Sequence, residues 1–164
     1  MRLLLVLCFL SCLALPIRVS AHAGQHPHGS ADQRAHEVMG FDQDRTTHHF
    51  FLFTDGGAID VTVKDRTDAE NREAIRKHLP HIANMFGSGD FEAPMLVHSS
   101  TNVPGTAAMA AKKAAIRYRY VDTPNGGRVE IRTSDPEALV AVHAFLKYQI
   151  AEHKTGDSVS VRPR

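Results

Sequence analysis

The chain has 164 residues, of which 43% are hydrophobic and 23% charged, with a formal net charge of +1 at pH 7. That length accommodates one domain with a core of ordinary size. The near-neutral balance argues against a nucleic-acid or anionic-membrane partner.

Arg2 gives the chain a positive start, Leu3 to Ile17 is a nearly unbroken apolar run, and small residues follow at Ser20, Ala21 and Ala23. This is the layout of a secretory signal peptide over residues 1–23, too short and wrongly flanked for a spanning helix. It predicts a periplasmic or secreted product without a stable membrane anchor. Ala21-His22-Ala23 fits a cut that leaves Gly24 first, and Val19-Ser20-Ala21 fits one that leaves His22 first. Both cysteines, Cys8 and Cys12, lie in the leader, so the mature chain carries no thiolate and no disulfide. Loss of Arg2 and Arg18 takes the 19 Lys and Arg to 17 against 18 Asp and Glu, a net charge of −1.

Residues 24–44 are polar, carry His26, His28 and His36, and show neither helical nor strand periodicity, which predicts a mobile arm. A new terminus Gly24-Gln25-His26 offers an amine, two amide nitrogens and an imidazole in the square plane that Cu(II) favours. An N-terminal His22 offers amine and ring together. The alternative is a polar stub left by processing, which binds metal adventitiously.

A single domain follows over residues 45–156, and it contains an internal repeat. Asp55-Gly56-Gly57-Ala58-Ile59-Asp60-Val61-Thr62-Val63 resembles Asn125-Gly126-Gly127-Arg128-Val129-Glu130-Ile131-Arg132-Thr133, seventy positions later. Asp-Gly and Asn-Gly between alternating apolar residues predict hairpins whose two central residues both take positive φ. Each hairpin has an aromatic first strand, His48 to Phe53 or Ile116 to Tyr120, and each is followed by a helix ending near Gly89-Asp90 or Gly156-Asp157. The predicted class is α+β. A duplicated β-β-α unit gives a four-stranded antiparallel sheet with two helices on one face.

The first helix, roughly Asp68 to Phe86, presents Ile75, Leu79, Ile82 and Phe86, and Pro80 predicts a kink or break in it. A short helical turn is expected near Thr106 to Lys113. In the last helix Ser134 reads as the N-cap with Glu137 three residues on and Pro136 in the first turn, and Leu139, Val142, Leu146 and Ile150 form the buried stripe. Residues 157–164 read as a flexible tail.

Beyond the arm, two histidine groups carry candidate chemistry. His78-Leu79-Pro80-His81 with Met85 offers imidazole and thioether ligands on one helix flank, a set that suits copper; the alternative is surface histidines beside a core methionine. His48 and His49 point to opposite sheet faces, so one of them meets the helices, where His143 lies between Leu139 and Leu146. Such a pair is either a ligand set or hydrogen-bonded core histidines. Met39, Met95, His98, Met109 and His153 are further ligand types that the sequence does not place.

Other chemistries find less support. The chain has no G-x-S-x-G elbow, Walker loop or H-E-x-x-H. Ser99-Ser100-Thr101 beside His98 has no placed acid or base. Asp60, Thr62, Arg117, Arg119, Glu130 and Arg132 alternate in sign on the outward sheet face, as expected of solvated cross-strand ion pairs.

The stretches Val38 to Gln43, Thr46 to Phe50, Pro124 to Val129 and Phe145 to His153 together resemble a family of small exported proteobacterial proteins over most of residues 36–157. Some members bear an aspartate carbamoyltransferase label. This chain does not fit that activity: it is too short for the enzyme's two domains, carries an export signal, and lacks a Ser-Thr-Arg-Thr carbamoyl-phosphate loop. The resemblance implies a family identity and no mechanism.

Taken together, the residues predict non-catalytic binding or buffering of a transition metal, copper first, through His26, His28, His36, His48, His49, His78, His81 and His143. The rivals are a metal-independent module that binds a small molecule or protein, and an enzyme using His48 or His49 with His143 as acid or base.

Overall fold

The computed structural model describes residues 39–164. The leader and His26, His28 and His36 lie outside the described residues. Four strands, β1 (Thr46–Phe53), β2 (Gly56–Val63), β3 (Ile116–Thr123) and β4 (Gly126–Thr133), form one antiparallel sheet in the order β1-β2-β4-β3. The helices are α1 (Ala69–Ser88), α2 (Glu92–His98), α3 (Thr106–Ala111) and α4 (Pro136–Glu152). The expected α+β architecture is present, with α1 and α4 on the same sheet face: Leu79 of α1 lies over Gly127 and Leu146 of α4 over Gly57. No described helix is long and apolar enough to cross a membrane.

The repeat has a structural counterpart in the strand pairing. Ile59 pairs with Val129, its own equivalent seventy positions on, and Gly56↔Arg132 mirrors Thr62↔Gly126 about that central pair. Two flanking hydrogen bonds obey the same relation, from Val63 N–H to the Asn125 carbonyl (2.9 Å) and from Thr133 N–H to the Asp55 carbonyl (3.0 Å). The two hairpins therefore join about a pseudo-dyad. Each unit's helix packs across it, with α1 over β3 and β4 and α4 over β1 and β2.

The hairpin turns differ from expectation by one residue. Phe53 pairs with Gly56 and Thr123 with Gly126, so the turn centres are Thr54-Asp55 and Pro124-Asn125. None of these four residues takes positive φ. Pro124 fixes φ near −65° and excludes a type I′ turn there. The glycines serve the sheet instead. A Cβ on Gly56 would strike the Ile131 carbonyl, and one on Gly126 would strike the symmetry-equivalent Val61 carbonyl.

Helix α1 runs without interruption through Pro80. The loss of one helical hydrogen bond is outweighed by the buried stripe of Ile75, Leu79, Ile82 and Phe86, which pins the turns on both sides of the proline. Asp68 caps its N-terminus and Gly89, at φ 86°, closes its C-terminus. The cap of α4 is Asp135 and not Ser134: its carboxylate accepts from the N–H groups of Glu137 and Ala138. A carboxylate at this position also meets the helix dipole. Leu139 is only half-buried, and Ala138, Ala141 and Phe145 complete the inner face.

Both ends of the domain extend further than the sequence indicates. Phe41, assigned to the arm, is 2% exposed and belongs to the core, and the Asp42 N–H donates to Asn71 Oδ1 (2.8 Å). The expected flexible tail returns to β1. Arg162 N–H donates to the Leu52 carbonyl and Thr54 N–H to the Arg162 carbonyl, both at 3.1 Å. The guanidinium groups of Arg162 and Arg164 lie over the Phe53 ring. Strand-edge backbone groups and the outward-facing Phe51 and Phe53 rings hold the tail in place.

Candidate functional site: a histidine-lined pocket

Between the β1 edge, α1, α2 and the end of α4 lies a pocket of about 70 Å³. Its floor is the apolar core, with Phe50, Leu79, Phe86 and Phe145. Its polar lining is His48, His78, His98, His153, Gln149 and the thioether of Met39.

Each ligand-bearing side chain arrives from a different element for a local reason. On β1 the pleat sends His48 inward with Phe50 and Leu52, and His49 outward. On α1 His78 occupies the turn before the buried Ile82 and borders the Leu79 stripe. His98 ends α2, and His153 is the C-cap of α4. The rings form a connected set. His48 and His153 stack with centroids 5.3 Å apart, His98 meets His153 edge-on at 5.1 Å, and Phe41 bridges His48 and His78 at 5.8 and 5.6 Å.

Three of the pocket imidazoles, His48, His78 and His153, are held in the neutral form. Burial pushes His48 down to about 3, with the neighbouring His153, His78 and His49 adding repulsion. Burial and His81 push His78 down to about 4, and burial and His98 push His153 down to about 4. His98 Nε2 and Gln149 Oε1 are 3.1 Å apart. The Gln149 amide nitrogen has no partner among the described residues, although the residue is 4% exposed. Met39 sulfur accepts a hydrogen bond from Gln43 Nε2 at 3.2 Å.

Of the other histidines the sequence singles out, two serve the fold. His49 faces outward, and its Nδ1 lies 2.9 Å from Asp157 Oδ1. That carboxylate also accepts from Phe50 N–H and so ties the tail to β1. The expected meeting of a strand histidine with His143 does not occur. His143 Nε2 lies 2.9 Å from the Phe53 carbonyl and 3.0 Å from that of Gly56, so its ring N–H clamps α4 to the first hairpin. His81 is exposed on α1, beside Met85 and Glu92 in a shallow groove that His78 also lines. Met109 is fully buried in the core, and Met95 packs against it. No three His, Cys, Asp or Glu side chains among the described residues are arranged to hold one ion as they stand.

Sequence reasoning named His98, His153 and Met39 without placing them. His153 lies sixty-seven positions after Phe86, as Gly156-Asp157 lies after Gly89-Asp90, so the repeat itself marked it as a residue facing the sheet. The expected outward face is present as ion pairs: the Arg128 guanidinium is bidentate on Asp60, and Arg119 bonds Glu130 at 2.8 Å. Comparison with family models, curated proteins and solved structures finds no match to this chain.

Proposed function

We propose that this protein binds a soft, low-coordinate transition-metal ion, Cu(I) first, in the pocket between β1, α1, α2 and α4. The observation that carries the reading is the convergence of His48, His78, His98 and His153 with Met39 on one small, apolar-walled space. Imidazole with thioether is a donor set that suits copper in its lower oxidation state. Two imidazoles sharing one ion at nitrogen distances of about 2.0 Å have ring centroids roughly 5–6 Å apart. The separations of 5.3 Å for His48–His153 and 5.1 Å for His98–His153 fall in that range.

Charge and size point the same way. Metal binding competes with protons, and imidazoles held neutral down to about pH 4 carry little of that competition at neutral pH. An apolar wall disfavours a divalent hydrated ion more than a monovalent soft one. A volume of about 70 Å³ suits an ion. Drug-sized ligands occupy pockets of about 300–1,000 Å³. Two imidazoles and a thioether make a two- or three-coordinate site, whereas a closed tetrahedral site needs a fourth donor and a preset geometry.

A second reading rests on the Gln149 amide nitrogen, a buried donor without a partner among the described residues that borders the same pocket. It favours a small uncharged molecule with one hydrogen-bond acceptor, bound without metal.

The test is titration of the full exported chain with Cu(I) against a chromophoric competitor, repeated with a variant lacking residues 24–36 and with His48→Phe/His153→Phe. One-to-one binding that survives loss of the arm and disappears with the pocket pair supports the reading. Binding that disappears with the arm alone moves the site to His26, His28 and His36. Absence of competitive binding overturns the copper reading and leaves the small-molecule one.

A further inference from the structure

Resting on the pocket reading, we infer that the groove formed by His81, Met85 and Glu92 beside His78 is the entry site of the same ion, which passes inward by ligand exchange on His78. His78 lines both the groove and the pocket and is the only histidine to border both among the described residues. The uninterrupted course of α1 matters here. His78, His81 and Met85 stand at i, i+3 and i+7 on an unbroken helix, which places them along one flank. A break at Pro80 would have separated them.

The two ends of the route differ in the way that a transfer requires. His81 and Glu92 are exposed and Met85 is half-buried, so the groove meets solvent with an imidazole, a thioether and a carboxylate. The pocket behind it is walled by Ile82, Ala93 and Phe86 and offers four imidazoles. An ion entering such a space must lose its water ligands. Outer donors replace those waters one at a time, so a partly desolvated charge is never left without ligands, which would be costly. His78 then changes from an outer to an inner ligand while His48 or His153 takes the place of His81. The ion keeps its oxidation state throughout, so no electron need move. Met85 and His81 are thus rate-determining donors and contribute little to the final affinity.

The experiment uses the full chain and Cu(I) presented as a coloured chelate. It follows loading by stopped flow and the end point by equilibrium competition. His81→Gln/Met85→Leu changes an exposed side chain and one at the edge of the core, the latter to an apolar residue of similar volume. The expected result is loading slowed at least tenfold, with equilibrium affinity changed by less than threefold. Loading at the wild-type rate overturns the entry route while leaving the pocket reading intact. A loss of equilibrium affinity equal to the loss of rate also overturns it, since the groove would then be the final site. With His48→Phe/His153→Phe the groove keeps its donors while the pocket loses two of its four imidazoles, and fast, weak, readily reversed binding supports the route. Failure of the unsubstituted protein to bind Cu(I) at all removes the pocket reading and the route together, an outcome distinct from the others.

Discussion

His48 and His153, stacked with centroids 5.3 Å apart, occupy the positions that Tyr118 and Phe86, packed edge-on at 5.9 Å, occupy across the pseudo-dyad. His48 and Tyr118 are seventy positions apart on equivalent strands; Phe86 and His153 are sixty-seven apart on equivalent helices. One architectural position thus holds an aromatic pair in one half of the molecule and two imidazoles in the other. The aromatic pair fills the space with two rings and one buried polar atom, the Tyr118 hydroxyl, which has no hydrogen-bond partner among the described residues. The imidazole pair fills it with nitrogen atoms whose desolvation is evident in the depressed pKa of both rings. Packing alone is better met by the former, so the histidines give up stability for donor atoms.

That contrast yields the first prediction. His48→Tyr/His153→Phe copies the other half's pair into the pocket wall. Urea unfolding at pH 7 should show stability no lower than the parent's, since about 1–2 kcal/mol of added apolar burial offsets a buried tyrosine hydroxyl of the kind that Tyr118 already carries. Cu(I) binding should fall at least a hundredfold. A variant that unfolds at lower urea than the parent would mean that the imidazoles hold the fold and are not an addition to it.

Acid sensitivity follows from the same rings. His48, His78 and His153 have folded values near 3, 4 and 4 against 6.5 in the unfolded chain. Above pH 6.5 all three are neutral in both states and stability is fully present. As pH falls from 6.5 toward 4 the unfolded chain takes up protons that the folded one refuses, so stability declines. Each such group contributes about 1.4 kcal/mol per pH unit, and three together about 4 at the steepest. Against a total of about 5–15 kcal/mol, the domain should unfold between about pH 5 and pH 4. Circular dichroism across pH checks this, and His48→Tyr/His153→Phe should move the midpoint down by about one unit. A midpoint unaffected by that variant would contradict the assignment.

His143 supports structure and not the pocket. Its ring N–H is shared between two carbonyls at the first hairpin turn, and no other described donor side chain reaches either of them. His143→Ala should cost about 1–3 kcal/mol, the penalty of leaving buried carbonyl oxygens without a donor. Metal affinity should stay within threefold of the parent. A variant that loses copper while keeping its unfolding midpoint would return His143 to the ligand set.

The hairpins, the duplication and both long helices were legible because they depend on local signals: alternation of apolar residues, a repeated Gly-Gly pair, and stripes at helical spacing. The split fate of His48 and His49 was legible too, since the pleat allows one of them inside. Helix α2 gave no such signal. Its seven residues, Glu92–His98, contain Pro94 and have no side-chain cap, and its last residue, His98, is tied to Gln149 of α4. The pocket was illegible for a related reason. Which histidine meets His48 depends on α4 crossing to the other hairpin, and periodicity does not report that crossing. Spacing placed His143 beneath the helix, whereas the helix end delivers His153. Pro80 shows the limit of local rules: propensity predicts a kink or a break, and the buried stripe prevents the break.

The tail provides the final test. Residues 157–164 cover the β1 edge, with Arg162 bonded to Leu52 and Thr54 and Arg164 bonded to Asp55. Arg162 and Arg164 also shield Phe51 and Phe53, whose rings otherwise form an apolar strip on the outward face. Removing residues 158–164 exposes that strip together with the unpaired N–H of Thr54 and carbonyl of Leu52, a template for pairing with another chain. Asp157 remains and keeps its bonds to His49 and Phe50, so the pocket side of β1 should hold its shape and its copper affinity. The truncated chain should therefore bind metal as the parent does but self-associate at concentrations where the parent is unchanged, by sedimentation velocity. Arg164→Ala, which removes one guanidinium and leaves the Arg162 backbone pairing, should have a smaller effect in the same direction. If truncation leaves the association state untouched, the tail is a passive passenger on an edge protected by other means; if it also abolishes metal binding, β1 depends on the tail for the inward placement of His48.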